Sequence, residues 1–140
     1  YCSICHGTDA RGFVGFPNLT DTIWRWGGKP EEIQETITNG RQAIMTPWGE
    51  MLGEQRVRNV AAYIRQEFAK LPSQAPDADL NEGKNTFNTI CIACHMADGK
   101  GNQLIGSGDL TQPAGWISGT SQDIVEQTVT HGRMGQMPAQ

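Results

Sequence analysis

Apolar positions recur at helical spacing along one stretch in the middle of the chain. Val57, Val60, Ala61, Ile64 and Phe68 stand at positions i, i+3, i+4, i+7 and i+11. This spacing places side chains on one face of an α-helix. The sequence therefore predicts an amphipathic helix over residues 54–70, with its apolar face turned toward a core.

Three further helices are predicted from the residues at their ends. Pro30 suits a first helical turn, two acidic residues follow it near the positive end of the helix, and Gly40 closes the segment. The stretch 121–132 repeats this arrangement, and residues 82–90 form another helix with Phe87 on its inner face. No pair of strands is evident, so we expect an all-α architecture with long loops.

An internal repeat divides the chain into two similar halves. The matched segments are 17–20 with 108–111, Trp24 with Trp116, and 36–41 with 128–133. The offset between the halves grows only from 89 to 92 residues along the repeat, so insertions are small. Two homologous small domains are therefore predicted.

The segment between the halves has the composition of a linker. Residues 71–79 contain two prolines and no apolar helical period. We place the boundary near Gln74, which gives a first domain over 1–73 and a second over 74–140. The first half has no counterpart of the helix at 82–90 and the second none of the helix at 54–70. We therefore expect flanking sequence at both ends.

Length and charge narrow the function further. The chain has 140 residues, 37% of them hydrophobic, and a formal charge of −4. It has no apolar run near the ~20 residues of a membrane-spanning helix. It also lacks the basic cluster expected of a nucleic-acid-binding protein, so no nucleic-acid partner is predicted.

All four cysteines lie in two copies of one five-residue motif. The copies are Cys2-Ser3-Ile4-Cys5-His6 and Cys91-Ile92-Ala93-Cys94-His95. Two thiols at this spacing reach the two vinyl groups of one haem, and the adjacent histidine offers a nitrogen to the iron. A redox dithiol, a four-cysteine zinc site and two disulfides are the alternatives, but none gives both histidines a role. The motifs predict two covalently bound haems c, which places the chain outside the cytoplasmic membrane.

The repeat also indicates which residue binds each iron on the side opposite the histidine. Met45 and Met137 each follow a Gly-Arg pair by four residues and are related by the offset of 92. A thioether there would raise the reduction potential and fill the sixth position. Met51 is the rival for the first haem, and Met134 is a weaker rival for the second. His131 is a further candidate, but its repeat counterpart, an asparagine, is no such ligand.

Other repeated residues are candidates for holding the haem. Arg41 and Arg133 are expected to bind haem propionates through paired hydrogen bonds. Trp24 and Trp116 either donate an indole hydrogen to a propionate or pack against the ring. The carbonyl of Pro17 is expected to accept the outer ring hydrogen of the first proximal histidine, with Gly108 at the aligned position.

Together these motifs resemble the dihaem subunit of cbb(3)-type cytochrome c oxidases, called CcoP or FixP. The resemblance covers essentially the whole chain. Besides the haem motifs, it rests on residues 15–21, on Trp24-x-Trp26-Gly27-Gly28, on Thr36-Ile37-x-x-Gly40-Arg41, on residues 52–63 and on Gly132-Arg133-x-x-x-Met137-Pro138-Ala139. The chain departs from the family pattern at Met45-Thr46-Pro47-Trp48, at Met96 after the second histidine, and at Gly108.

The resemblance implies two tandem domains of the class I cytochrome c type, each wrapped around one covalent haem. It implies electron transfer on the periplasmic side of the inner membrane, with an N-terminal membrane anchor that this chain lacks. The implied donor is a cytochrome or the cytochrome bc complex, and the implied partners are the monohaem and catalytic subunits of the oxidase. Such a chain would not catalyse oxygen reduction itself. A soluble dihaem shuttle cytochrome of the c(4) kind, a dihaem peroxidase and a haem gas-sensing module are the alternatives.

Overall fold

Short helices joined by long loops make up most of the computed structural model, which describes residues 1–140. The helices are α1 (Cys2–His6), α2 (Pro30–Asn39), α3 (Gly49–Leu52), α4 (Glu54–Tyr63), α5 (Leu80–Thr86), α6 (Ile92–His95) and α7 (Gln122–His131). The strands are β1 (Arg41–Met45) and β2 (Arg133–Met137). Wider π-helical turns, Ile64–Phe68 and Phe87–Cys91, continue α4 and α5, and a short 3-10 turn covers Pro113–Gly115. No helix combines the length and apolar character that crossing a bilayer requires.

The helices predicted from sequence are confirmed, with small shifts at their ends. Gly40 follows α2 at φ 70°, the left-handed region that ends helices readily at glycine. The predicted helix at 82–90 begins earlier, because the Asp79 side chain accepts the backbone N–H groups of Asn81 and Glu82. It also runs further, through the π-helical turn that leads into the second cysteine motif.

The main apolar core is built from both halves of the sequence. Its buried members are Leu52, Val57, Val60, Ile64, Phe87 and Val129. The first four belong to α3, to α4 and its π-helical turn, whereas Phe87 follows α5 and Val129 lies in α7. Since α4 packs on α5 and α7, the apolar face predicted over 54–70 is buried against the second half.

Aromatic rings fill the space between α4 and α5. Phe87 is fully buried, its ring centroid lying 4.7 Å from that of Phe68 and 5.9 Å from that of Tyr63. The Tyr63 and Phe68 rings meet edge to face at 5.6 Å. Edge-on and tilted ring pairs contribute beyond their buried area, so this cluster fixes the crossing of the two helices.

The linker has no helix, as predicted, but it is tied down. The buried Arg65 donates to the carbonyls of Thr120 and Pro72, at 2.7 and 3.1 Å. The Gln74 side chain accepts the backbone N–H of Gln122 at the start of α7. The segment between the halves is therefore held against α4 and α7 rather than free in solvent.

The expectation of an all-α fold was wrong in one respect, because β1 and β2 form an antiparallel pair. Arg41 lies opposite Met137, Ala43 opposite Gly135, and Met45 opposite Arg133. Each strand has only five residues and pairs with a segment from the other half. Local sequence carries no signal for so distant a partner.

Candidate haem-binding sites

The first cysteine motif forms the short helix α1. Cys2 is exposed, Cys5 half-buried and His6 buried. Nδ1 of His6 lies 3.0 Å from the carbonyl oxygen of Pro17. Because a carbonyl only accepts, Nδ1 carries the proton and Nε2 keeps a lone pair that is available to a metal. This is the hydrogen bond that the sequence analysis expected.

The second motif repeats this arrangement at the end of the long helical segment. Cys91 ends the π-helical turn, and Cys94 and His95 lie in α6. Nδ1 of His95 lies 3.1 Å from the carbonyl of Gly108, which again leaves the lone pair of Nε2 available. Burial lowers the pKa of His95. The hydrogen bond to Gly108 raises this pKa by a smaller amount, and the nearby charge of Arg25 lowers it.

The four thiols are not brought together in one site. All four cysteines are free, and no three His, Cys, Asp or Glu side chains are grouped closely enough to hold a metal ion. The two pairs of thiols therefore do not form the four-cysteine zinc site. Burial raises the pKa of Cys91 to about 11, and the neighbouring Cys94 adds to this effect.

Met45 and Met137 lie on the same face of the two-stranded sheet. Residues directly opposite in an antiparallel pair share a face, and so do alternate residues along a strand. Arg41, Met45, Arg133 and Met137 therefore all lie on one face. Both methionines are half-buried. The α-carbons of the two methionines are separated by about 14 Å along the sheet, given a rise of ~3.4 Å per residue.

The rival ligands lie elsewhere. Met134 is on the opposite face of β2 and is 72% exposed, and Met51 in α3 is 67% exposed. His131 is the exposed last residue of α7. Of the candidates named from the sequence, Met45 and Met137 have the symmetric placement that the repeat requires.

The two arginines keep equivalent contacts in the two halves. Nε of Arg41 donates to the hydroxyl of Thr36 at 2.9 Å, and Nε of Arg133 donates to that of Thr128 at 3.0 Å. Arg41 also pairs with Glu35 at 3.2 Å and lies 5.0 Å from the centroid of the Trp26 ring. Each arginine is thus anchored to the helix before its strand, while Arg41 alone has a carboxylate partner.

The two candidate tryptophans differ in their contacts. Nε1 of Trp116 donates to the carbonyl of Asp109 at 3.3 Å, and its ring packs against the main core. The ring of Trp24 lies against the backbone of Gly28. The backbone carbonyl of Trp24 accepts a hydrogen bond from the side-chain amide of Gln103 in the second half. The Trp116 indole hydrogen is thus directed to a backbone carbonyl, whereas Trp24 contributes its ring to packing and its carbonyl to a contact with the second half.

Two residues join the halves in a way that the sequence did not predict: Trp26 was named only as part of a family motif, and Arg25 was not named. The Trp26 ring packs against Gly106, and the guanidinium of Arg25 lies beside Gly108. The sequence did carry one signal for these residues, because they differ from their repeat equivalents: a serine stands in the place of Trp26 and an isoleucine in the place of Arg25. At these two positions the first half departs from the repeat and contacts the second half.

The donor set suits haem c in both halves. Each half supplies two thiols, an imidazole whose Nδ1 is fixed by a carbonyl, and a methionine on the shared sheet. Two such units in a largely helical chain define a protein with tandem c-type cytochrome domains. The model of cytochrome c oxidase, cbb3-type, subunit III matches residues 1–64 and again residues 78–140, so the chain belongs to this family.

Curated relatives agree with this assignment. The cbb3-type cytochrome c oxidase subunit FixP of Azorhizobium caulinodans is 40% identical over 146 residues, covering 99% of this chain and 49% of that protein. Subunit CcoP of Rubrivivax gelatinosus is 42% identical over 140 residues, covering 99% and 44%. Subunit CcoP of Cereibacter sphaeroides is 38% identical over 149 residues, covering 98% and 50%. The chain spans about half the length of these relatives.

Proposed function

We propose that this chain transfers electrons through two covalently bound haems c within a cbb3-type cytochrome c oxidase. The observation that carries the proposal is the repeated donor set, with one anchored imidazole and one methionine in each half. When bound, haem c supplies a one-electron couple between ferric and ferrous iron. We assign oxygen reduction to other subunits of the oxidase.

The proposed site residues would attach the haems, bind the iron and adjust its preference for the ferrous state. Cys2, Cys5, Cys91 and Cys94 would hold the two macrocycles through thioether bonds. His6 and His95 would bind iron through Nε2, and the carbonyls on Nδ1 would orient the rings and increase their donor strength. The thioethers of Met45 and Met137 would complete the ligand set, which favours ferrous iron and leaves no open site for oxygen.

We further propose that the haem domains lie on the periplasmic side of the inner membrane. Covalent haem attachment takes place on that side, and the names of the relatives place them in the oxidase. A donor cytochrome or the cytochrome bc complex would supply electrons, and the monohaem and catalytic subunits would receive them. The full-length protein would be held at the membrane by an N-terminal anchor.

The ligand sets are the sharpest test of this proposal. The chain, made in a host that attaches haem c, is expected to carry two haems by mass spectrometry, both six-coordinate and low-spin. The ferrous protein should show two strongly shifted methionine methyl resonances by NMR. Met45→Leu and Met137→Leu should each remove one resonance and leave the other. A colourless protein, or one high-spin haem in the unsubstituted chain, would contradict the proposal.

A further inference from the structure

We propose that the Gly-Arg turn of each half positions the axial methionine of the other half. The segments Arg41–Met45 and Arg133–Met137 are called the methionine ribbon here. The inference rests on the proposed function, because it concerns the ligands assigned there. The turns are those at Gly40 and Gly132, which directly precede the two strands of the ribbon.

The register of the ribbon is symmetric with respect to the internal repeat. Ala43 lies opposite Gly135, and these two residues are repeat equivalents 92 positions apart. An approximate two-fold axis through this pair therefore exchanges Met45 with Met137. The same axis exchanges the two Gly-Arg turns.

Hydrogen bonds beyond the ribbon obey the same symmetry. The backbone N–H of Trp48 donates to the carbonyl of Val129 at 2.9 Å, and that of Gln140 donates to the carbonyl of Ile37 at 2.9 Å. Trp48 and Gln140 each stand three residues after an axial methionine. The residues that follow each methionine are therefore hydrogen-bonded to a helix of the opposite half, α7 for Met45 and α2 for Met137.

Each glycine lies against the main chain of the methionine in the other half. A β-carbon on Gly40 would stand 2.5 Å from the carbonyl oxygen of Met137, and one on Gly132 would overlap the carbonyl oxygen of Met45. Both glycines also have left-handed backbones, at φ 70° and 69°. Glycine is required twice over, for the conformation and for the approach of the opposite strand.

The turns are rigid enough to act as a support. The Nε atoms of Arg41 and Arg133 are held by the hydroxyls of Thr36 and Thr128, which lie in α2 and α7. Each turn is therefore anchored to the helix of its own half while its glycine contacts the methionine of the other. A substitution in one half is then expected to disturb coordination in the other half.

The test uses the haem-loaded protein and the two ferrous methionine methyl resonances, assigned with Met45→Leu and Met137→Leu. Gly40→Ala is expected to shift or abolish the Met137 resonance, and Gly132→Ala the Met45 resonance. Gly53→Ala is the matched control, because Gly53 has φ 73° but no atom within 4 Å of its β-carbon position. It should move neither resonance.

The outcomes separate this inference from the proposed function. If Met45→Leu and Met137→Leu remove no resonance, the ligand assignment itself fails. If they do, but Gly40→Ala disturbs only Met45 or neither methionine, the cross-half positioning fails.

Hydrogen exchange gives a second measurement if the glycine variants do not fold. Met45→Leu is expected to increase amide exchange in 133–137 as well as in 41–45. An increase confined to 41–45 would overturn the inference.

Discussion

A terminal nitrogen of Arg25 lies 3.3 Å from the point where a β-carbon on Gly108 would stand. Gly108 is the residue whose carbonyl accepts the Nδ1 proton of His95. Arg25 makes no ion pair, and burial lowers its pKa. A positive charge from the first half thus lies beside the backbone that holds His95 of the second half.

We expect Arg25→Gln to lower the reduction potential of the second haem. A nearby positive charge disfavours ferric iron, which carries one more positive charge than ferrous iron. At the original midpoint, the ratio of reduced to oxidised second haem should fall about threefold to tenfold, which corresponds to about 0.7–1.4 kcal/mol for the loss of one partly screened unit charge. Spectroelectrochemical titration of both haems measures this ratio.

Two variants control for general effects of the Arg25 substitution. Arg25→Lys keeps the charge and should retain most of the potential. Arg11→Gln removes an exposed arginine near the first motif and should leave the second haem unchanged, because exposed charges are screened. Equal shifts of both haems in Arg25→Gln would contradict the prediction.

Met96→Gly is expected to stabilise the protein. Met96 follows His95 at φ 61° and ψ 164°, a region that glycine alone occupies readily, whereas the first half has Gly7 there. Relief of this strain should raise the free energy of unfolding by about 1–3 kcal/mol. Chemical denaturation of the haem-loaded protein measures the change. Ala97→Gly, at the exposed neighbouring position, should instead destabilise slightly.

Gly83→Ala is expected to destabilise the packing of α4 on α5. A β-carbon there would overlap the backbone carbonyl of Asn59, and backbone cannot move aside as a flexible side chain does. Overpacking of this kind costs about 1–3 kcal/mol. Thermal unfolding should show a lower midpoint, while Asn85→Ala on the exposed side of the same helix should not. An unchanged midpoint in Gly83→Ala would mean that the helices separate readily.

The rival axial ligands should prove dispensable. Met51→Leu, Met134→Leu and His131→Ala are expected to leave the absorption spectrum and both methionine methyl resonances unchanged. Each of these side chains is exposed, and Met134 lies on the face of the ribbon opposite Met137. Loss of a resonance in any of them would reassign that ligand.

The sequence by itself determined the local structure and the chemistry. Motif spacing gave the two cysteine-histidine sites, the repeat paired Met45 with Met137, and end signals placed α2, α4 and α7 within a few residues. The motifs and helix ends depend on interactions between residues close in the chain, so short stretches of sequence are enough to predict them. The family assignment followed from the same motifs in order.

Only the tertiary structure decided how the halves meet. It placed α4 against α5, paired β1 with β2, and brought Arg25 next to the backbone of Gly108. Each of these contacts joins segments far apart in sequence, and neither partner alone carries a signal for the other. The glycines of the Gly-Arg turns illustrate the difference, because the sequence explains Gly40 as a helix end, while the fold adds its contact with Met137.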